Sequence, residues 1–110
     1  MKIRQGFVSN SSACSFNISN TTKETKSIED FAKENVNLLH RFNKEYEYDF
    51  TEEAFLQSAR DENITFKPHE TKFCIFGDES GTVIGHVFDY MLREGGASES
   101  FSWRFDAWRR

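Results

Sequence analysis

Apolar residues recur along this chain at two spacings, one typical of helices and the other typical of strands. Residues 28–42 place apolar side chains three or four positions apart, and residues 83–92 place them in adjacent pairs at a four-residue step. Both patterns predict amphipathic helices. Residues 52–61 carry a shorter apolar stripe, which predicts another helix between these two. Each segment follows a residue type that caps helices well, namely Ser27, Thr51 and Thr82.

Alternation of apolar and polar residues predicts strands at residues 14–19, 64–67 and 101–106. Within the strand predicted at residues 71–76, residues 73–76 are apolar at both alternating positions, which predicts a central strand covered on both faces. Since only a short segment separates 64–67 from 71–76, we expect these two strands to pair as a hairpin. Residues 46–50 also alternate, and they fit either a short strand or an extended connector.

The order of these elements predicts an α+β fold. A mostly antiparallel sheet of three to five strands, with about three helices packed on it, would bury the apolar side of every element. The chain has 110 residues, of which twelve are phenylalanine. That length fits one domain, and we interpret 1–110 as a single domain with a polar, Ser/Asn-rich N-terminal segment at 1–13.

Charge is distributed unevenly along the chain, whose formal net charge is −4. Residues 24–62 hold eleven acidic and five basic residues, whereas both ends of the chain are basic. An acidic surface repels nucleic acid, so we do not expect a nucleic-acid partner and instead expect a basic protein. Glu52 and Glu53 are the candidate contacts in this region. The alternative is that the acids only keep two helix faces solvated.

No apolar run approaches the roughly 18 residues that a membrane helix needs, and no secretory signal is recognisable at the N-terminus. Two cysteines, Cys14 and Cys74, are too few for a disulfide framework. We therefore expect a cytoplasmic protein with free thiols and without a membrane anchor. Nothing in the sequence calls for a cofactor.

A polar segment near the N-terminus is the first candidate site. Four hydroxyls and one amide fall within seven residues after Gly6: Ser9, Asn10, Ser11, Ser12 and Ser15. Short polar side chains compete with regular structure, and successive backbone N–H groups in such a loop can cradle an anion. The segment therefore predicts a ligand- or partner-binding loop, with a flexible solvated loop as the alternative.

Residues 2–18, KIRQGFVSNSSACSFNI, carry a family resemblance. They resemble the opening K-x-R-x-G-F-V-S-N-S-S-S-S-S-F that many small uncharacterised proteins of tailed bacteriophages share. Ala13 and Cys14 depart from it, since they replace two serines of the usual run. The resemblance covers about a sixth of the chain, and residues 63–75 resemble the same proteins more loosely. It implies a phage origin and a bacterial host cytoplasm, and it assigns no catalytic residue.

The C-terminus is the second candidate site. Trp103, Trp108, Arg109 and Arg110 belong to residue types that are enriched at the energetic centres of protein interfaces. They could also stack on single-stranded nucleic acid. The alternative for Trp103 is the core, because it alternates with polar residues along the last strand. A homodimer through the edge of strand 101–106 is a further possibility for so small a sheet.

Few residues fit catalysis or metal binding. Cys14, which falls in the polar loop, could act as a nucleophile with a distant histidine as base. His40, His69 and His86 lack the close ligand spacing of a metal site.

With the phage origin that the resemblance implies, we predict a phage accessory protein that binds a host or phage protein without catalysis. The same origin suggests that it inhibits a host defence or host process. The alternative is a small-ligand or nucleotide-binding protein, with or without enzymatic activity, that uses the Ser/Asn-rich loop as an anion cradle.

Overall fold

The structure is a computed structural model that describes residues 13–77 and 81–109, the last residue by its backbone only. Within these residues the strands are β1 (Ala13–Asn20), β2 (Lys26–Ser27), β3 (Thr65–Phe66), β4 (Thr71–Gly77), β5 (Gly96–Ala97) and β6 (Phe101–Arg109). The helices are α1 (Ile28–Glu34), α2 (Val36–Tyr46), α3 (Glu52–Glu62) and α4 (Val83–Met91).

The main sheet has four antiparallel strands in the order β4-β1-β6-β5, and β2 pairs with β3 in a small second sheet. β1 is therefore a central strand with β4 on one side and β6 on the other. The α+β class, the antiparallel sheet and the number of its strands confirm the prediction.

The helices pack against one face of the main sheet, on which β1, β4 and β6 place their buried apolar residues. Phe16 and Ile18 of β1 lie on this face and are completely buried. Phe31 of α1 stands at the centre of the core, with its ring centroid 5.1 Å from that of Phe88 and 5.2 Å from that of Phe101. Such edge-to-face aromatic pairs add to the free energy gained from burial. The core thus fixes which strand positions remain on the opposite face.

The N-caps follow the prediction. Ser27 accepts a hydrogen bond from the backbone N–H of Asp30, whose carboxylate in turn accepts one from the Ser27 N–H. Thr51 and Thr82 cap α3 and α4 in the same way, each through its hydroxyl oxygen. Capping is a local interaction, so the sequence is sufficient to place these three helix starts.

The prediction of one continuous helix over 28–42 is wrong. Asn35 separates α1 from α2 with φ −123° and ψ 32°, outside the helical region. Its side-chain amide donates to the Phe31 carbonyl at 2.9 Å, and so replaces a backbone bond of the helix. The apolar spacing continues through this break because both helices cover the same core.

The predicted hairpin of 64–67 with 71–76 is also wrong, as is the central position of 71–76. β3 pairs with β2, and β4 pairs with β1 along its whole length. Among the described strands β4 lies at the outer side of the main sheet, and Phe73 and Ile75, on its face away from the core, are 51% and 53% exposed. Its double apolar pattern therefore reflects one buried face and one exposed apolar face.

Two further segments differ in detail from their predictions. Residues 47–50 form no strand, which agrees with the alternative of a connector between α2 and α3. The strand predicted at 101–106 extends to Arg109. Its first residues are not a sheet edge, because β5 pairs with Ser102 and Trp103. This pairing disfavours a homodimer through the start of β6.

Candidate functional site

Most of the Ser/Asn-rich segment, Ser9 to Ser12, lies outside the described residues. Ser15 belongs to β1 and is fully buried. Its hydroxyl lies 2.9 Å from a carboxylate oxygen of Asp106, to which it donates, and 3.2 Å from the Ala107 carbonyl oxygen. Ser15 therefore joins β1 to β6, and an anion placed at its hydroxyl would meet the Asp106 carboxylate.

A β-bulge in β6 sets the direction of the C-terminal aromatic residues. Phe105 pairs with Phe16 while Ala107 pairs with Ser15, so that Asp106 is an extra residue on β6. A bulge of this kind interrupts the alternation of faces. Trp108 consequently lies on the same side as Phe105, and the centroids of their rings are 5.5 Å apart.

The two tryptophans have different surroundings. Trp103 is only 8% exposed, and its ring packs edge-on against Phe31. It belongs to the core, which was the alternative that its alternation left open. Trp108 is 58% exposed and stacks on the Arg93 guanidinium, with 4.4 Å from the guanidinium carbon to the ring centroid. The Arg109 side chain and Arg110 lie outside the described residues.

Arg93 connects this aromatic surface to a buried acid. Its guanidinium lies between the rings of Tyr90, at 4.6 Å, and Trp108. It also forms an ion pair with the fully buried Asp89, with 3.1 Å between nitrogen and oxygen. A guanidinium held by two rings and a carboxylate has few donors left, so this arrangement anchors Trp108 in place.

The environment of Cys14 removes the nucleophile hypothesis. Cys14 lies in β1 and not in a polar loop, and its side chain is fully buried. Burial, reinforced by a hydrogen bond with the Asp89 carboxylate, raises the pKa of the Cys14 thiol to about 12. Burial also raises the pKa of the Cys74 thiol, to about 11. Neither thiol supplies a thiolate at neutral pH, which nucleophilic catalysis would need.

Glu52 and Glu53 lie at the start of α3 and are exposed. Glu52 contacts His40, with 2.6 Å between the carboxylate oxygen and Nε2. Around them, residues 45–53 contain five exposed acidic residues and no base. The structure thus brings the acids together at the turn between α2 and α3, which we call the acidic end.

The face of the main sheet opposite the helices, which we call the second face, is the surface that sequence reasoning missed. It carries alternate residues of the three long strands in three rows across the sheet. The first row is Thr71, Ser19 and Ser102; the second is Phe73, Asn17 and Arg104; the third is Ile75, Ser15 and Ala107. An apolar side formed by β4 therefore lies next to a polar side formed by β1 and β6.

Two signals in the sequence could have identified this face. The polar positions of β1 and β6, including Asn17 and Arg104, alternate with the core positions. β4 has apolar residues at positions of both of its faces, and a strand with one buried face requires them on that face only. The sequence does not reveal that β4 is an outer strand, because strand order depends on contacts between distant residues.

Metal ligands, membrane-spanning helices and known families give no further indication of function. Within residues 13–77 and 81–109, no three His, Cys, Asp or Glu side chains come together as a metal site. None of the helices in these ranges is long and apolar enough to cross a membrane. No family model matches the chain, and no curated protein or solved structure matches it significantly.

Proposed function

We propose that the protein is a phage-encoded accessory protein that binds a host or phage protein, without catalysis, through the second face of its main sheet. The phage origin and the location in the host cytoplasm rest on the resemblance of residues 2–18. Inhibition of a host defence or host process is the consequence that we propose for this binding, on the same basis. Exposure and side-chain chemistry support the choice of the binding surface.

The exposed apolar pair Phe73 and Ile75 carries the proposal. The two side chains stand two residues apart on β4, hence side by side on the second face, and are 51% and 53% exposed. Covering the exposed half of each side chain would contribute about 1 kcal/mol of hydrophobic free energy. An aromatic and a branched aliphatic residue at one spot supply the apolar centre of a protein interface.

The surroundings of this pair also suit a protein partner. Asn17 of β1 lies beside Phe73, and Arg104 of β6 lies beside Asn17. Polar groups around an apolar centre provide the hydrogen-bonding rim of many interfaces, and arginine is enriched among interface residues. The second face therefore combines an apolar centre with donors that fix the orientation of a partner.

Affinity capture from bacterial lysate tests this proposal. The tagged wild type is compared with a Phe73→Ser/Ile75→Thr variant, which removes the apolar pair. Two controls address the other candidate surfaces: Trp108→Ser at the C-terminus and Glu52→Lys/Glu53→Lys at the acidic end. Circular dichroism and thermal melting establish that each variant is folded, and light scattering shows whether the protein associates with itself.

We expect a stoichiometric partner that wild type and both controls retain and that the Phe73→Ser/Ile75→Thr variant loses. Retention by this variant would contradict the use of the second face. Loss in a control alone would move the interface to the C-terminus or to the acidic end. Absence of any stoichiometric partner would contradict protein binding.

A further inference from the structure

A groove of about 350 Å³ lies on the polar side of the second face. The residues that line it come from three neighbouring strands: Asn17, Ser19, Thr71, Ser102, Trp103 and Arg104. Apart from Trp103, all of them contribute hydroxyl, amide or guanidinium groups. Among the described residues no carboxylate lines the groove, and the chemistry of these residues is that of hydrogen-bond donors around the guanidinium of Arg104.

Pairing across the strands brings these groups together. Ser19 lies directly opposite Thr71 on one side and Ser102 on the other, and Asn17 lies opposite Arg104. Directly opposed residues of antiparallel strands have their Cβ atoms about 5 Å apart. A ligand of three or four heavy atoms can therefore contact side chains of both β1 and β6.

Several of these donors remain available. Ser19 and Thr71 share one hydrogen bond of 2.6 Å, which leaves the second hydroxyl proton of the pair free to donate. In the described part of the chain, the side chains of Asn17, Ser102 and Arg104 make no hydrogen bond or ion pair. The groove thus offers an unneutralised guanidinium beside an amide and hydroxyls.

We propose that this groove is an oxyanion-binding site, in which Arg104 pairs with a carboxylate or phosphate group and Asn17 and Ser102 donate to its remaining oxygens. The fork of a guanidinium matches two oxygens of either group, and such charge-assisted bonds are stronger than neutral ones. Asp106 is the nearest acid along β6, and its carboxylate is directed to Ser15 by their hydrogen bond.

The oxyanion site does not require the protein partner proposed above. A carboxylate presented by a bound protein and a phosphate group of a free ligand share the chemistry that the groove recognises. Small probes can therefore test the site by itself, and its failure would be distinguishable from a failure of protein binding.

The test is an NMR titration of the isotopically labelled protein at neutral pH and constant ionic strength. Sodium acetate and sodium phosphate are the probes, each exchanged against sodium chloride, and acetamide is the uncharged counterpart of acetate. The observed signals are the Arg104 Nε–Hε pair and the Asn17 side-chain amide. The Arg41 Nε–Hε pair serves as a control, because Arg41 is exposed on α2 and does not line the groove.

We expect saturable shifts at Arg104 and Asn17 with at least one oxyanion, and none with acetamide. Saturation by acetate alone assigns the site to carboxylates, and saturation by phosphate alone assigns it to phosphate groups. Arg104→Gln should weaken the apparent affinity at least roughly tenfold, whereas Arg41→Gln should leave it unchanged. Arg104→Lys keeps the charge but loses the fork, so its affinity should be intermediate.

Shifts that do not saturate with either oxyanion would overturn the proposal. The same conclusion would follow if Arg41 responded as strongly as Arg104, because the response would then reflect nonspecific ion association. Unchanged binding in a folded Arg104→Gln variant would also overturn it. The dispersed backbone spectrum of each variant reports directly on its fold.

Discussion

Burial determines the reactivity of the Cys14 thiol. The polar residues before Cys14 in the sequence predict an exposed loop instead. The serines before Cys14 are typical of a loop, yet β1 begins at Ala13 and buries the thiol next to Asp89 of α4. A thiol there packs as a small apolar group, and the carboxylate of Asp89 disfavours its ionisation further. Reactivity at Cys14 therefore depends on unfolding.

We predict that iodoacetamide modifies native Cys14 extremely slowly at pH 8. With a pKa of about 12, the thiolate fraction is roughly one in 10⁴, and burial blocks access as well. Mass spectrometry of timed samples measures the rate, and the same reaction in urea is the control in which both cysteines should react readily. Rapid modification of Cys14 without urea would contradict its buried position.

Glu34 is a second residue whose role comes from distant parts of the chain. One of its carboxylate oxygens accepts hydrogen bonds from the Ser98 hydroxyl at 2.7 Å and from the Ser100 backbone N–H at 2.9 Å. Partial burial acts to raise the pKa of Glu34, but the hydrogen bonds from Ser100 and Ser98 outweigh it and hold the pKa below its usual value. The ionised carboxylate thus joins the end of α1 to the turn before β6.

We predict that Glu34→Gln lowers the free energy of unfolding by about 1–2 kcal/mol at pH 7, because an ionised acceptor is lost. Urea denaturation of the variant and wild type measures the difference. Since the folded pKa is depressed, the contribution of Glu34 is complete above its unfolded pKa. It disappears as the pH falls through the folded pKa.

The control for this experiment is Glu53→Gln, an exposed glutamate at the start of α3. It should change the free energy of unfolding by a few tenths of a kcal/mol at most. A Glu34→Gln effect that stayed constant down to pH 2 would show that shape and not charge is responsible.

At the scale of elements, the sequence predicts where three of the helices begin, but it does not predict which strands pair. Ser27, Thr51 and Thr82 each cap a helix through an atom within three residues, which a sequence displays directly. The hairpin predicted for 64–67 and 71–76 does not form, because β3 pairs with β2 and β4 pairs with β1. Short sequence separation favours a hairpin but does not enforce one.

Asn35 interrupts a helical segment and Asp106 interrupts a strand, and the spacing of apolar residues reveals neither interruption. Asn35 ends α1 by bonding to the backbone, although the apolar stripe continues into α2. Asp106 adds a residue to β6, and this bulge turns Trp108 to the helix side of the sheet. The Asn35 bond reaches a carbonyl only four residues away, whereas the bulge depends on the pairing of β6 with β1, which no short window of sequence contains.

The contact of β5 with β6 depends on a glycine, and we predict that Gly96→Ala destabilises the protein by about 1–3 kcal/mol. A Cβ atom at Gly96 would lie 2.7 Å from Cζ2 of Trp103, whose ring is held in the core by Phe31. Gly96 has no positive φ, so the expected cost is steric. Urea denaturation measures it.

A double-mutant cycle with Trp103→Phe provides the control. The smaller ring lacks the atoms nearest to the added methyl group, so Gly96→Ala should cost less in that background. Trp103→Phe also removes an indole N–H that is buried without a hydrogen-bond partner among the described residues. An equal cost of Gly96→Ala in both backgrounds would contradict the steric explanation.

At the scale of the whole molecule, the described helices occupy one face of the main sheet, and the second face is the surface through which we propose that the partner binds. The α+β class could be predicted because the apolar face of each element follows from its own spacing. The sequence indicates the residues that could form the second face but not their arrangement, since Asn17, Phe73 and Arg104 become neighbours only when three distant strands align.

The exposed large hydrophobic residues of the described chain can report which surface a partner covers. Phe73 and Ile75 lie on the second face, whereas Trp108 lies at the C-terminal end and Tyr48 lies beside the acidic end. Each is at least 37% exposed. Their side chains are accessible to hydroxyl radicals, so loss of reactivity marks a covered surface.

Hydroxyl-radical footprinting of the protein, free and in complex with its captured partner, is thus the most direct test of the second face as the binding surface. Mass spectrometry then quantifies oxidation at each of these residues. We predict that the partner strongly protects Phe73 and Ile75 and leaves Tyr48 and Trp108 as reactive as in the free protein. Undiminished oxidation of Phe73 and Ile75 in the complex would contradict the account.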